Sequence, residues 1–245
     1  MDRGEKLTRR DFLKGAGAAT IGLTLSGILP KKALSQPSGC PEYCGVAPVD
    51  FDYSDVHGNN DYARPFRDRW LDEIKELGAD TVEINIPVKI KPDGSVGYNC
   101  YWPPYWLPPS DDRGTTENVK EYVRMAQQKG FKVFLDIPSL MRDGGIDRRF
   151  NLDKFLNEFE ELSLKWAEVA EELGVEAYCF EGELGWIEYA MGLEQLHYYP
   201  NGDTYNYCPR ITAWIKQMIP KVRQRYSGLV IAQESPYIHP DVEFA

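Results

Sequence analysis

Residues 166–186 read WAEVAEELGVEAYCFEGELGW. A helical stretch that begins near Leu152 closes at Leu173-Gly174, where a glycine is the usual stop, and the chain then turns into a strand from Ala177 to Glu183. Side chains alternate along a strand with period two, so Cys179, Glu181 and Glu183 share one face, and Tyr178 and Phe180 share the other. If the aromatic pair packs on helices, the carboxylates face the opposite side.

Working outward, the same alternation recurs at intervals of about 45 to 50 residues, the mark of repeated βα units around a parallel sheet. A short first strand is expected around Tyr43 to Pro48. Residues Arg67 to Leu77 read as a helix, with Trp70, Leu71, Ile74 and Leu77 on one face and Gly78 as its stop. Thr81 to Ile86 is the second strand. Thr116 to Gln128 is the next helix, with Thr116 as N-cap and an apolar stripe of Val119, Tyr122, Val123 and Ala126. Phe131 to Ile137 is the third strand, Ile211 to Tyr226 the last helix, and Leu229 to Gln233 the fifth strand. No internal repeat or low-complexity stretch interrupts the pattern.

Successive βα units with no GxGxxG or GxxxxGK[ST] loop after any strand predict an α/β fold of the (β/α)8 TIM-barrel type and exclude dinucleotide and P-loop folds. Such a barrel usually takes about 250 residues. Here the chain reaches Ala245 soon after strand five. The expectation is therefore a barrel cut short after about five βα units, occupying residues 36–245, with an intact smaller α/β domain as the alternative.

Residues 1–35 are set apart from that fold. Thr8-Arg9-Arg10-Asp11-Phe12-Leu13-Lys14 precedes an uncharged, Gly-rich stretch from Gly15 to Pro30, then Lys31-Lys32 and small residues before Gln36. This resembles a twin-arginine export signal, which implies the twin-arginine translocase as a partner, contact with the membrane only during export, and an extracytoplasmic destination. The stretch is too short and too polar for a stable membrane span.

The whole chain holds 245 residues, 42% of them hydrophobic, with 38 acidic against 28 basic side chains, a balance of −10. That apolar content argues against disorder. Residues 1–35 take seven of the basic and three of the acidic residues, leaving 21 and 35, a balance of −14. Such a surface repels phosphate polymers, so no nucleic-acid partner is expected. The cysteines at 40, 44, 100, 179 and 208 form no CxxC, and the histidines at 57, 197 and 239 show no ligand spacing. No metal or cofactor is expected, and a metal-dependent hydrolase is disfavoured.

In barrels of this type chemistry sits at the C-terminal ends of the strands. Glu183 stands at such an end beside Trp186, where apolar surroundings and a neighbouring carboxylate raise a carboxyl pKa, as a proton donor to a leaving oxygen requires. The alternative is a solvated loop carboxylate. Aromatic residues crowd the same end: Tyr98, Tyr101, Trp102, Tyr105 and Trp106 after strand two, and Trp186, Tyr189, Tyr198, Tyr199, Tyr205 and Tyr207 after strand four. The C–H faces of sugar rings stack on such side chains. Trp102, Trp106 and Trp186 are the stacking candidates, and Asn85, Asp136, Glu181 and Gln233 are the polar residues for substrate hydroxyls. Pro-flanked aromatics such as Tyr101 to Trp106 also serve simply to pin a long loop.

Residues 166–184, with ITAWIKQMIPKVRQRYSGLVIA at 211–232, resemble glycoside hydrolase family 113 and its clan A relatives. ELGADTVEINIPV at 76–88 and YWLPPSDDRGTTENVKEYVRMAQQKGFKVFLDIP at 105–138 are similar to that family's second and third βα units. In the family a Gly-Thr-Glu-Leu-like motif ends strand four, and its Glu is the general acid/base. The resemblance therefore implies that role for Glu183, with Gly182 and Leu184 matching and Glu181 in place of the residue before the glycine. It further implies a neutral poly- or oligosaccharide substrate and retaining hydrolysis, in which a second carboxylate attacks the anomeric carbon. In the family that nucleophile lies on a later strand, expected beyond Ala245, and Glu234, just past strand five, is the in-chain alternative. Two features depart from the pattern: the missing nucleophile, and an insertion between Trp186 and Ile211. A carbohydrate-binding barrel relic without catalysis is the competing expectation.

Overall fold

The computed structural model describes residues 45–46, 63–101, 104–107, 115–137, 141–142, 146, 149–182, 184–198 and 204–233. Within them, five parallel strands form one sheet: β1 (Gly45–Val46), β2 (Thr81–Asn85), β6 (Lys132–Asp136), β8 (Ala177–Gly182) and β11 (Leu229–Gln233), hydrogen-bonded in that order. Each strand lies beside the one that precedes it in sequence. A doubly wound sheet reverses its order partway, whereas this one does not, and sequential winding is how barrels of the (β/α)8 type are built. The five strands are those expected from the sequence, each within about two residues of the expected bounds.

The helices are α1 (Ala63–Glu76), α2 (Thr115–Gln128), α3 (Leu152–Leu173), α4 (Gly185–Ala190) and α5 (Pro209–Arg223). The three longest after α1 are amphipathic, and their apolar stripes cover one face of the sheet. Register explains which strand residues they cover. Ile84, Leu135 and Tyr178 are paired across β2, β6 and β8, as are Val82 and Val133 one step below, and all five are fully buried or nearly so. The residues between them point to the other face. On the helix side Phe155 and Phe159 of α3 stack at 5.4 Å, and Trp214 of α5 lies 5.7 Å from Phe159 and 6.2 Å from Phe180.

Helix ends follow local chemistry. Asn151 caps α3, its Oδ1 accepting from Lys154 N at 3.0 Å, and Gly174 ends the helix at φ 58°, in the left-handed region open to glycine. Helix α2 begins one residue earlier than the sequence suggests. Thr116, expected as its N-cap, therefore lies inside the first turn, and the buried Thr115 precedes it. No described helix is long and apolar enough to cross a membrane.

A second sheet is absent from the sequence reading. Strands β3 (Val88–Ile90), β4 (Val96–Tyr101), β5 (Pro104–Leu107) and β7 (Met141–Arg142) pair in the order β5-β4-β3-β7, joining the loops after β2 and β6. It is fastened to α3. Val96 N donates to Glu158 Oε2 at 2.8 Å, and the Tyr98 hydroxyl accepts from Trp166 Nε1 at 3.2 Å and from Lys165 Nζ at 3.0 Å. Tyr98 is thus wholly buried rather than a mouth aromatic. The turn between β3 and β4 sits on the start of α3: Asn151 N donates to Asp93 O at 3.3 Å, and a Cβ on Gly94 (φ 87°) would stand 2.7 Å from Asn151 O.

This turn gives the fold a measurable acid sensitivity. Asp93 accepts from Ser95 N and Ser95 Oγ, both at 3.0 Å, and from Lys154 Nζ at 3.1 Å, and these bonds hold its carboxyl at about 2 against an ordinary 3.8. Since the folded value lies below the unfolded one, the stability these bonds contribute is present above the unfolded value and is lost as pH falls through the folded one. Asp93→Asn should therefore melt below the parent protein at neutral pH, and the gap between the two melting temperatures should close as pH falls from about 4 to about 2. A gap of equal size at both ends would contradict this.

A two-stranded hairpin, β9 (Gln195–Tyr198) with β10 (Thr204–Tyr207), completes the described structure and occupies the insertion after strand four.

Candidate active site

The face of the main sheet turned away from the helices carries the polar residues. Asn85, Asp136 and Cys179 are directly paired across β2, β6 and β8 at the C-terminal end, so their side chains stand in one row. Glu83 and Phe134 lie one layer below, and Glu181 one layer above on β8. Asp136, Cys179 and Glu181 are each no more than 2% exposed, whereas Glu83 and Asn85 are half-buried. Oriented to suit its neighbours, the Asn85 side-chain amide nitrogen donates to Asp136 Oδ2 and to Glu83 Oε1, each at 3.2 Å. One amide therefore bridges two carboxyls. Burial raises the Glu83 carboxyl above the ordinary range, as desolvation of a charged form does.

Strand β8 is held from behind. Tyr178 Oη donates to Ser163 O at 2.8 Å and meets Tyr226 edge-on at 5.9 Å, while Ser163 Oγ donates to Phe180 O at 3.1 Å. The aromatic pair does pack on the helices, and Cys179 and Glu181 share the opposite face, as the alternation requires. Cys179 Sγ donates to Glu181 O at 2.8 Å. Burial first, then the charges of Asp136 and Glu181, push this thiol well above its ordinary pKa, so it is no thiolate nucleophile. Glu181 Oε2 accepts from Leu184 N at 3.5 Å, which ties the strand's last carboxylate to the residue after the turn.

Of the residues singled out from the sequence, the structure brings Asn85, Asp136 and Glu181 to one end of one face. Trp186 sits on α4, part-buried against the core. Glu183, Trp102 and Glu234 lie outside the described residues. The backbone of Trp106 is paired with Asn99, and that of Gln233 with Gly182, but their side chains lie outside the description. Gly182 and Leu184, the neighbours of Glu183 in sequence, are buried.

Sequence reasoning missed Glu83 and Glu188. The first was hidden by reading Thr81 to Ile86 only as a strand, although the spacing of Glu83 and Asn85 puts both on one face. Glu188 is wholly buried, and its two carboxylate oxygens accept from Arg210 N at 3.1 Å and Ile211 N at 2.9 Å. Among the described residues, no three His, Cys, Asp or Glu side chains are arranged to hold a metal ion.

Three comparisons bear on this arrangement. A family model for the twin-arginine translocation pathway signal sequence matches residues 6–26, so the chain carries a twin-arginine signal and is exported through that translocase. No curated protein matches the chain by sequence. Among solved structures, the exo-β-1,4-mannosidase Op5Man5 from Opitutaceae bacterium strain TAV5 aligns with a TM-score of 0.52 and 11% identity over 78% of this chain and 31% of its own. The GH113 β-mannanase AaManA from Alicyclobacillus acidocaldarius aligns at 0.44 and 16% over 67% and 47%, and a GH5_18 protein from Streptomyces cattleya, in complex with Manβ1-4GlcNAc, at 0.46 and 15% over 76% and 44%. The likeness to Op5Man5 is one of fold, and it agrees with the sequential parallel winding of the main sheet. The chain spans about half the length of the GH113 mannanases it matches, 49%, 47% and 48% of them.

Proposed function

We propose that this is an exported glycoside hydrolase acting by retention on a neutral poly- or oligosaccharide, with Glu183 as the general acid/base. What supports it most is the sequence position of that residue, directly after the C-terminal end of the fourth parallel strand and between the buried Gly182 and Leu184, on a strand whose Cys179 and Glu181 share a face with Asn85 and Asp136. In this reading Glu183 protonates the glycosidic oxygen as the bond breaks, then deprotonates the incoming water. Asn85, Asp136, Glu181 and Gln233 bind or orient sugar hydroxyls, and Trp102, Trp106 and Trp186 offer faces for stacking. The named activities of the structural neighbours make a β-1,4-linked mannoside the first substrate to assay. The nucleophile is proposed on a strand that follows the fifth, with Glu234 as the in-chain alternative. Residues 1–35 are proposed as the cleaved segment and residues 36–245 as barrel.

The test is stereochemical. With the whole protein and a β-linked aryl mannoside, proton NMR of the first product formed should show the β anomer ahead of mutarotation. Appearance of the α anomer would exclude retention, and absence of any hydrolysis alongside binding of mannooligosaccharide would favour a binding protein.

A further inference from the structure

The insertion after strand four begins with α4, a helix of six residues, too short to hold its place by its own hydrogen bonds. Its place is fixed from outside. Helix α5 begins in an unusual way: Cys208 at its N-cap makes no side-chain capping bond, and Pro209 has no N–H to offer. The next two N–H groups, of Arg210 and Ile211, are both taken by the carboxylate of Glu188 on α4. A residue twenty positions upstream thus does the work of a missing cap, and its buried charge faces the positive end of the helix dipole. The thiol that stands where a capping side chain would be is used differently, since Cys208 Sγ donates to Gly185 O at 3.0 Å. A third tie is Glu181 Oε2 with Leu184 N.

Two of these contacts land on the backbone just after strand four, at Leu184 N and Gly185 O, and the third holds α4, which starts at Gly185; Glu183 is the residue before Leu184 in sequence. We propose that Glu188 is a positioning residue for Glu183: by gripping the first turn of α5 it fixes α4, and through α4 the turn that presents the acid/base. This rests on the reading of Glu183 given above. Proton transfer to a leaving oxygen tolerates little displacement, and a shift of about 1 Å can cost about a hundredfold in rate.

The test uses the full chain with Glu188→Ala and Glu188→Gln. Amide exchange at Leu184, Gly185 and Ile187 should quicken about tenfold or more in Glu188→Ala and less in Glu188→Gln, which keeps one acceptor oxygen. Turnover of a glycoside with a poor leaving group should fall about tenfold or more while KM changes little, and turnover of an activated aryl glycoside should fall less. Equal losses on both substrates, or exchange at Leu184 and Gly185 unchanged in either variant, would overturn the proposal. If Glu188→Ala does not fold, the Gln variant carries the same two readouts. A parent protein that hydrolyses neither substrate would count against the glycosidase reading alone, because the exchange readout still decides whether Glu188 fastens the turn.

Discussion

On the proposed reading, replacing Glu183 by Gln should lower turnover of a glycoside with an alkyl or sugar leaving group by about 10² to 10⁴, while a dinitrophenyl glycoside loses far less in the glycosylation step. The split follows from what a general acid does. A sugar alkoxide is a poor leaving group and needs its proton as the bond breaks, whereas a dinitrophenolate departs without one. Gln has the size of Glu and can donate a hydrogen bond, but it cannot release a proton, so binding should survive and KM should change less than kcat. Addition of azide should restore part of the activity on the activated substrate by attacking the covalent intermediate without base assistance. Equal loss on both substrates would remove Glu183 from the acid role and leave the buried polar row as a structural feature.

How far this site could be read beforehand follows from how local each feature is. The parallel sheet announced itself through alternation within strands and glycines at helix ends, and β2, β6, β8 and β11 lie where those signals put them. The division of β8 into a helix-facing pair, Tyr178 and Phe180, and an opposite pair, Cys179 and Glu181, needed only the period of a strand. The second sheet escaped because its pairing is not local. Strand β3 is three residues long, β7 is two, and they meet only because β2 and β6 deliver their loops side by side. Its neighbours in sequence group Tyr98 with the mouth aromatics, although the alternation Val96-Gly97-Tyr98 puts Val96 and Tyr98 on the same side, and both are wholly buried. The capping of α5 by Glu188 has no sequence signature at all. A cap is sought next to the helix it serves, and this one comes from another element.

The largest loss of stability should come from Trp166→Ala, because that side chain closes the contact between the second sheet and the longest helix. Trp166 is wholly buried on α3, meets Tyr98 of the second sheet edge-on at 6.4 Å, and donates its indole N–H to the Tyr98 hydroxyl. Truncating a buried tryptophan costs about 3 to 5 kcal/mol in lost burial and residual cavity. For a domain of this size that corresponds to a fall in melting temperature of about 10 °C. Two milder variants separate packing from the polar contact. Trp166→Phe keeps an aromatic ring but withdraws the donor, and Tyr98→Phe keeps the ring but withdraws the acceptor, leaving the indole N–H buried without its hydroxyl partner at a cost of about 1 to 3 kcal/mol. If the hydrogen bond couples the second sheet to α3, the double variant should be less destabilised than the sum of the two single ones, because the Trp166–Tyr98 bond can be lost only once, whereas the Lys165 bond to the same hydroxyl is lost equally in both variants of Tyr98. Strict additivity would mean that the second sheet is held by apolar contact and by the Val96 N–H to Glu158 bond instead. The same cycle would then assign to that edge the task of holding β4 against α3.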